Sequence, residues 1–83
     1  MRSFVKKADG IYCVVSTAQM PRNSQYNYET MVFPAIKYEG EYNIHWGMEM
    51  ACYRCDTKLG SWINHYKGIK AAKKVSKNFI DFL

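Results

Sequence analysis

The stretch "MACYRCDTKLGSWINHYKG", residues 50–68, contains the point at which the chain changes its period, and the fold follows from that change. Upstream, Tyr42, Ile44, Trp46, Met48, Met50 and Cys52 recur at every second residue, the period of a strand with one buried face. From Asp56 the spacing becomes three and four. Leu59, Trp62, Ile63, Tyr66 and Ile69 then fall on one side of a helical wheel, and Asp56 or Thr57 stands where an N-cap oxygen is needed. The segment therefore predicts a strand end, a cap and an amphipathic helix over 57–72. Lys73 would break the apolar side, while Val75, Phe79 and Phe82 begin a stripe elsewhere, so the helix is expected to end or bend near Lys73.

The alternating run is longer than the usual five or six residues of a strand and contains Gly47, so a break is expected there, with 48–55 as the ordered part. Gly40 in "KYEGEY" (37–42) marks a turn. Before it, "YNYETMVFPAI" (26–36) alternates Met31 and Phe33 against Thr30 and Val32; Pro34 lacks a ladder donor, so this strand should end near Phe33. "IYCVVST" (11–17) is a strand with Ile11, Cys13 and Val15 on one face and Tyr12 and Val14 on the other, and "AQMPRNSQ" (18–25) is a loop. No strand is assigned to "MRSFVKKADG" (1–10). The expectation is an α+β fold in a single domain, 1–83: an antiparallel sheet of three or four strands with one C-terminal amphipathic helix packed on one face. Its core would be Val15, Val32, Phe33, Leu59, Trp62, Tyr66 and Ile69.

The 83 residues suffice for one small domain, and 48% hydrophobic with 16% aromatic content argues for folding over disorder. No apolar run approaches the roughly 20 residues of a membrane span, and the start lacks the apolar stretch of a signal peptide. A cytosolic protein without a membrane partner is expected. Three cysteines are an odd number, which favours reduced thiols over a disulfide framework. The net charge of +5 invites an acidic partner, nucleic acid or protein.

Cys52 and Cys55 have the C-x₂-C spacing of zinc ligands, with His65, His45 or Cys13 left to complete a site. A second matched pair is absent, and thiols three apart on a strand point to opposite faces, so ordinary half-buried thiols are expected and no metal or cofactor. A thioredoxin-like redox pair would follow the first strand of a βαβ unit, which is not the pattern here. His65 lies beside the apolar stripe with no nucleophile or carboxylate pair spaced to use it, which implies a packing or hydrogen-bonding role and no enzyme. Lys67, Lys70, Lys74 and Lys77 recur at three, four and three along the helix and could track phosphates, although a solvated helix face is the commoner meaning of such a stripe.

"YETMVF" (28–33), a tryptophan, and "RCDTKLGSWINH" (54–65) together resemble a group of small tailed-bacteriophage proteins in which an E-T-M-V-F strand precedes R-Y-x-T-x-x-x-A-x-x-G-H leading into a helix. Glu29, Thr30, Met31, Val32 and Phe33 match the first motif. Arg54, Thr57 and His65 match the second, and Trp46 is the counterpart of the tryptophan. Cys55 replaces the tyrosine, Ser61 the alanine and Asn64 the glycine, so the C-x-x-C is a local departure from the pattern. Residues 1–27 and 69–83 lie outside the likeness, which covers about half the chain.

The resemblance implies a phage origin and the bacterial host cytoplasm, and it supplies no catalytic residue. The expected function is a non-enzymatic accessory protein that binds and modulates or inhibits a host macromolecule, a component of transcription or of antiviral defence. The competing reading is a small basic nucleic-acid-binding module using the lysine side of the helix, and the third is a zinc-stabilised interaction module.

Overall fold

The computed structural model describes residues 1–76 and 78. Five strands and one helix follow in the order β1 (Arg2–Ala8), β2 (Ile11–Gln19), β3 (Tyr28–Tyr38), β4 (Glu41–Ile44), β5 (Ala51–Cys55) and α1 (Lys58–Lys74). The sheet is antiparallel throughout, ordered β1-β2-β3-β4, with β5 pairing β3 beside β4. The α+β architecture expected from the period change is the one observed.

β1 lies where the sequence pattern assigns no strand. It pairs with β2 from Arg2↔Ser16 to Ala8↔Ile11, joined through Asp9 and Gly10, the latter at φ 73. Asp-Gly is itself a hairpin signal, and Arg2, Phe4 and Lys6 alternate with Ser3, Val5 and Lys7. The β3–β4 turn places Glu39 and Gly40 at φ 53 and 81, the two positive values of a two-residue hairpin turn.

β3 does not stop at Phe33 but runs on through Pro34 to Tyr38. In a strand a residue's N–H and C=O point to the same side. The Pro34 carbonyl accepts from His45 N–H at 3.0 Å, on the side away from β2. On that side β3 is changing neighbours, from β5 ending at Val32↔Ala51 to β4 beginning at Ala35↔Ile44. The missing proline donor falls in this gap, so no ladder bond is lost. The long alternating run is broken around Gly47 as expected, but its ordered second part is Ala51–Cys55 and not 48–55, with residues 45–50 separating β4 from β5.

Side chains are buried on both faces of the sheet, though the helix covers only one. On the helix side Cys13, Val15 and Val32 are buried with Ala72, and Val5, Met50, Ala51 and Ile69 pack around them. On the outer side Val14, Phe33 and Ala35 are buried. α1 is capped by Thr57, whose hydroxyl accepts from Gly60 N–H at 3.0 Å. At its other end the Lys7 ammonium donates to the carbonyls of Ala72 and Lys73, each at 2.8 Å, so β1 supplies partners for two end carbonyls and adds its positive charge to those of Lys73 and Lys74 in the last turn. The helix ends at Lys74; Phe79 and Phe82 lie outside the described residues.

α1 approaches the sheet most closely at Gly68, where a Cβ would stand 2.7 Å from Val15 Cγ1. Gly68→Ala would gain about 1 kcal/mol of helix propensity, but overpacking of about 1 to 3 kcal/mol opposes it. A net loss is expected in urea denaturation. A variant as stable as the wild type would mean that the helix sits farther from Val15.

Candidate functional site

Helix α1 is turned about its axis relative to the expectation from hydrophobicity. Its buried residues are Ser61, His65, Gly68 and Ala72, spaced four, three and four, a stripe of small or hydrogen-bonded side chains. Leu59, Trp62, Ile63 and Tyr66, three of them expected in the core, face solvent with 48% to 66% of each exposed. Of the expected helical core residues, Ile69 alone packs against the interior. The physical reason lies in the sheet: Val15, Thr17, Thr30 and Val32 already fill its helix side. They leave a shallow surface on which a backbone can lie close, but an indole cannot.

The outward side of α1 is divided along its length. Leu59, Trp62, Ile63 and Tyr66 occupy the first half; Lys67, Lys70, Lys73 and Lys74 continue the same side to the end. With Lys58 these are five lysines and no acidic residue in the helix. The Lys58 and Lys70 ammonium groups lie 6.0 Å and 5.2 Å from the ring centres of Trp62 and Tyr66. Lys67, Lys70 and Lys74 are thus exposed on one side, as their spacing implied, and that side also carries the aromatic residues. Lys77 lies outside the described residues.

Beneath the helix, His65 joins three elements. Its Nε2 is 2.8 Å from Ser3 Oγ of β1, and its Nδ1 is 2.7 Å from Thr17 Oγ1 of β2. Thr17 Oγ1 in turn is 2.7 Å from Thr30 Oγ1 of β3. A neutral imidazole satisfies this chain with one nitrogen donating and the other accepting. Burial, followed by the positive N-terminal amino group, lowers the His65 pKa from its ordinary value. Ser3 and His65 are 62 residues apart, a partnership that no local spacing could reveal. The Ser–His contact has the geometry of a nucleophile and its base, but the group orienting the imidazole is a hydroxyl, which cannot stabilise an imidazolium as a carboxylate does.

The residues with metal-ligand spacing in the sequence are not brought together with a third ligand among the described residues. Cys52 is opposite Met31 on the outer face of the sheet, and Cys55, three residues on, faces the helix. His65 has both nitrogens engaged. Among the described residues no three His, Cys, Asp or Glu side chains form a group able to hold a metal ion. Burial raises the thiol pKa of Cys13 and, against the pull of Arg54, of Cys52, the direction opposite to an activated thiolate.

The side chains of the two sequence motifs do meet. Glu29 accepts from Arg54 at 3.1 Å, with the guanidinium also over Tyr26, Thr30 joins the His65 chain, Thr57 caps α1, and Trp46 packs edge-on against Phe33 at 4.9 Å. These contacts fasten strands and helix to one another. No protein-family model, curated protein or solved structure matches the chain. No helix among the described residues is long and apolar enough to cross a membrane.

His65 gives a pH dependence with a definite sign. A folded pKa below the unfolded one means that the unfolded chain binds more protons. The contribution of neutral His65 to stability is complete above its ordinary value of 6.5 and is lost as pH falls toward the lowered folded value. Urea midpoints from about pH 7.5 down to about pH 5.5 should fall for the wild type and fall less for His65→Gln. Equal slopes would show that His65 does not govern the transition.

Proposed function

We propose that this is a non-enzymatic accessory protein of a tailed bacteriophage that acts in the host cytoplasm by docking helix α1 on a host protein. The observation that carries this is the outward side of α1, apolar in its first half and basic in its second. Leu59, Trp62, Ile63 and Tyr66 have the i, i+3, i+4, i+7 spacing with which an amphipathic helix enters a groove. The surface that fits is an apolar groove continued by carboxylates opposite Lys67, Lys70 and Lys74.

A second copy fits poorly. Pairing two such helices would bring ten lysines together, five from each, with no carboxylate of α1 between them. The inhibition or modulation of a transcription or antiviral-defence component rests on the resemblance of the E-T-M-V-F and R-C-D-T motifs.

Trp62→Ala with Tyr66→Ala decides between a partner face and a core. Exposed aromatics should cost less than about 1 kcal/mol each, whereas buried ones would cost about 3 to 5 kcal/mol. Affinity capture from nuclease-treated host lysate should then retain a specific protein on the wild type and lose it on the folded double variant, with Arg22→Ala as an unaffected control. Unfolding of the double variant, or capture that survives it, overturns the proposal. Partners lost entirely to nuclease would likewise overturn it.

A further inference from the structure

The opposite face of the molecule carries a second and independent arrangement. β1 and β4 are three ladder spacings apart, about 14 Å in a flat sheet, yet the rings of Phe4 and Tyr42 stack with centroids 4.0 Å apart. The sheet is therefore strongly coiled, and Val14 and Ala35 on this face are fully buried. Tyr12 meets Tyr42 edge-on at 5.1 Å. Cations stand over the same group: the Arg2 guanidinium lies 4.9 Å from the Trp46 ring centre and the Lys37 ammonium 5.1 Å from that of Tyr42.

Lys37, Tyr42, Phe4, Arg2 and Trp46 form one continuous strip in which rings and cations share a surface. Phe4, Tyr42 and Trp46 remain 38%, 36% and 49% exposed. Two other cations of this face are already paired, Lys6 with Asp9 at 3.3 Å and Arg54 with Glu29 at 3.1 Å. Among the described residues Arg2 and Lys37 form no ion pair.

We propose that this strip binds single-stranded nucleic acid, with bases stacking on Phe4 and Trp46 and phosphates on Arg2 and Lys37. The choice of occupant follows from the cations. An apolar protein surface laid here would bury a guanidinium and an ammonium without counter-charges, which is costly. An unpaired strand supplies a phosphate for each cation and bases for the exposed remainder of Phe4 and Trp46, whose rings already have partners in Tyr42 and Arg2 respectively, whereas a duplex hides its base faces. The proposal does not rest on the docking of α1, because no residue is shared.

The molecule contains two tryptophans, Trp46 and Trp62. Trp62→Phe leaves Trp46 as the sole indole reporter, placed in the strip. Titration of this variant with a 12-nucleotide oligo(dT) and an oligo(U) at low salt should quench its fluorescence saturably, and a 12-base-pair duplex should do so far less. Arg2→Gln and Lys37→Gln, changes of exposed charges, should each weaken binding and lower its salt dependence by about one counterion. Phe4→Ala should weaken it by at least about fivefold. Since Phe4→Ala can also disturb the sheet, Phe4→Tyr, which keeps the ring, should restore binding. Changing Lys67, Lys70 and Lys74 to Gln should leave it within about twofold, apart from a uniform electrostatic loss at low salt. Absent saturable quenching, equal affinity for duplex, or binding abolished by the helix lysines and indifferent to Arg2 and Lys37, would overturn the proposal.

Discussion

The close approach of α1 to β2 at Gly68 is the constraint on which the rest of the molecule depends. With no side chain there, the helix backbone lies on Val15, and the residues on the same stripe, Ser61, His65 and Ala72, can be only small or flat and hydrogen-bonded. Once that side is inward, helical geometry places Leu59, Trp62, Ile63 and Tyr66 outward. The apolar exposure of α1 is thus a consequence of how tightly its other side packs. A larger residue at position 68 would push the helix off the sheet and loosen every contact made through the stripe.

The tight contact also requires a polar interior to be satisfied. Thr17, Thr30 and His65 are buried in the layer between helix and sheet, where each unmade hydrogen bond would cost about 1 to 3 kcal/mol. The chain Thr30, Thr17, His65, Ser3 meets the requirement and in doing so fixes β1, β2 and β3 to α1 in one arrangement. Thr30 and His65 lie in the two sequence stretches 28–33 and 54–65, as do Glu29 and Arg54, which pair with each other. The motif residues engaged in these contacts serve to hold the fold together.

These contacts separate what is legible in the sequence from what is not. The period change at Asp56, an N-cap at Asp56 or Thr57, the break around Gly47 and the alternation of Cys13 and Val15 against Val14 all rest on local chemistry, and each is present in the structure, with Thr57 as the cap. That both faces of β2 are buried is not legible. The continuation of a strand through Pro34 is not legible, because its tolerance depends on β3 changing partners at that residue, a fact of topology. The orientation of α1 is hidden for a related reason. Hydrophobicity selects the more apolar side of a helix as its inner side, but depth of approach is set by the partner sheet, and the signal for that, Ser61, His65, Gly68 and Ala72 at four, three and four, is a pattern of small residues. The aromatic strip of the outer face is invisible in the sequence because Phe4 and Tyr42 meet only through the coiling of the sheet.

The two exposed faces follow from one economy of size. A domain this small has a core of Val, Ala and Cys on the helix side and of Val, Phe and Ala on the other, and its stability is correspondingly marginal. Burying four more large side chains would each contribute about 1.5 to 3 kcal/mol, yet α1 leaves them outside. A ligand that covers them binds only the folded state, so its free energy adds to the stability of the fold by mass action. If α1 docks on a host protein as proposed, the partner's groove would complete the apolar burial that the isolated chain forgoes. Lys67, Lys70 and Lys74 would set the direction of docking, since reversing the helix would separate the lysines from the partner's carboxylates.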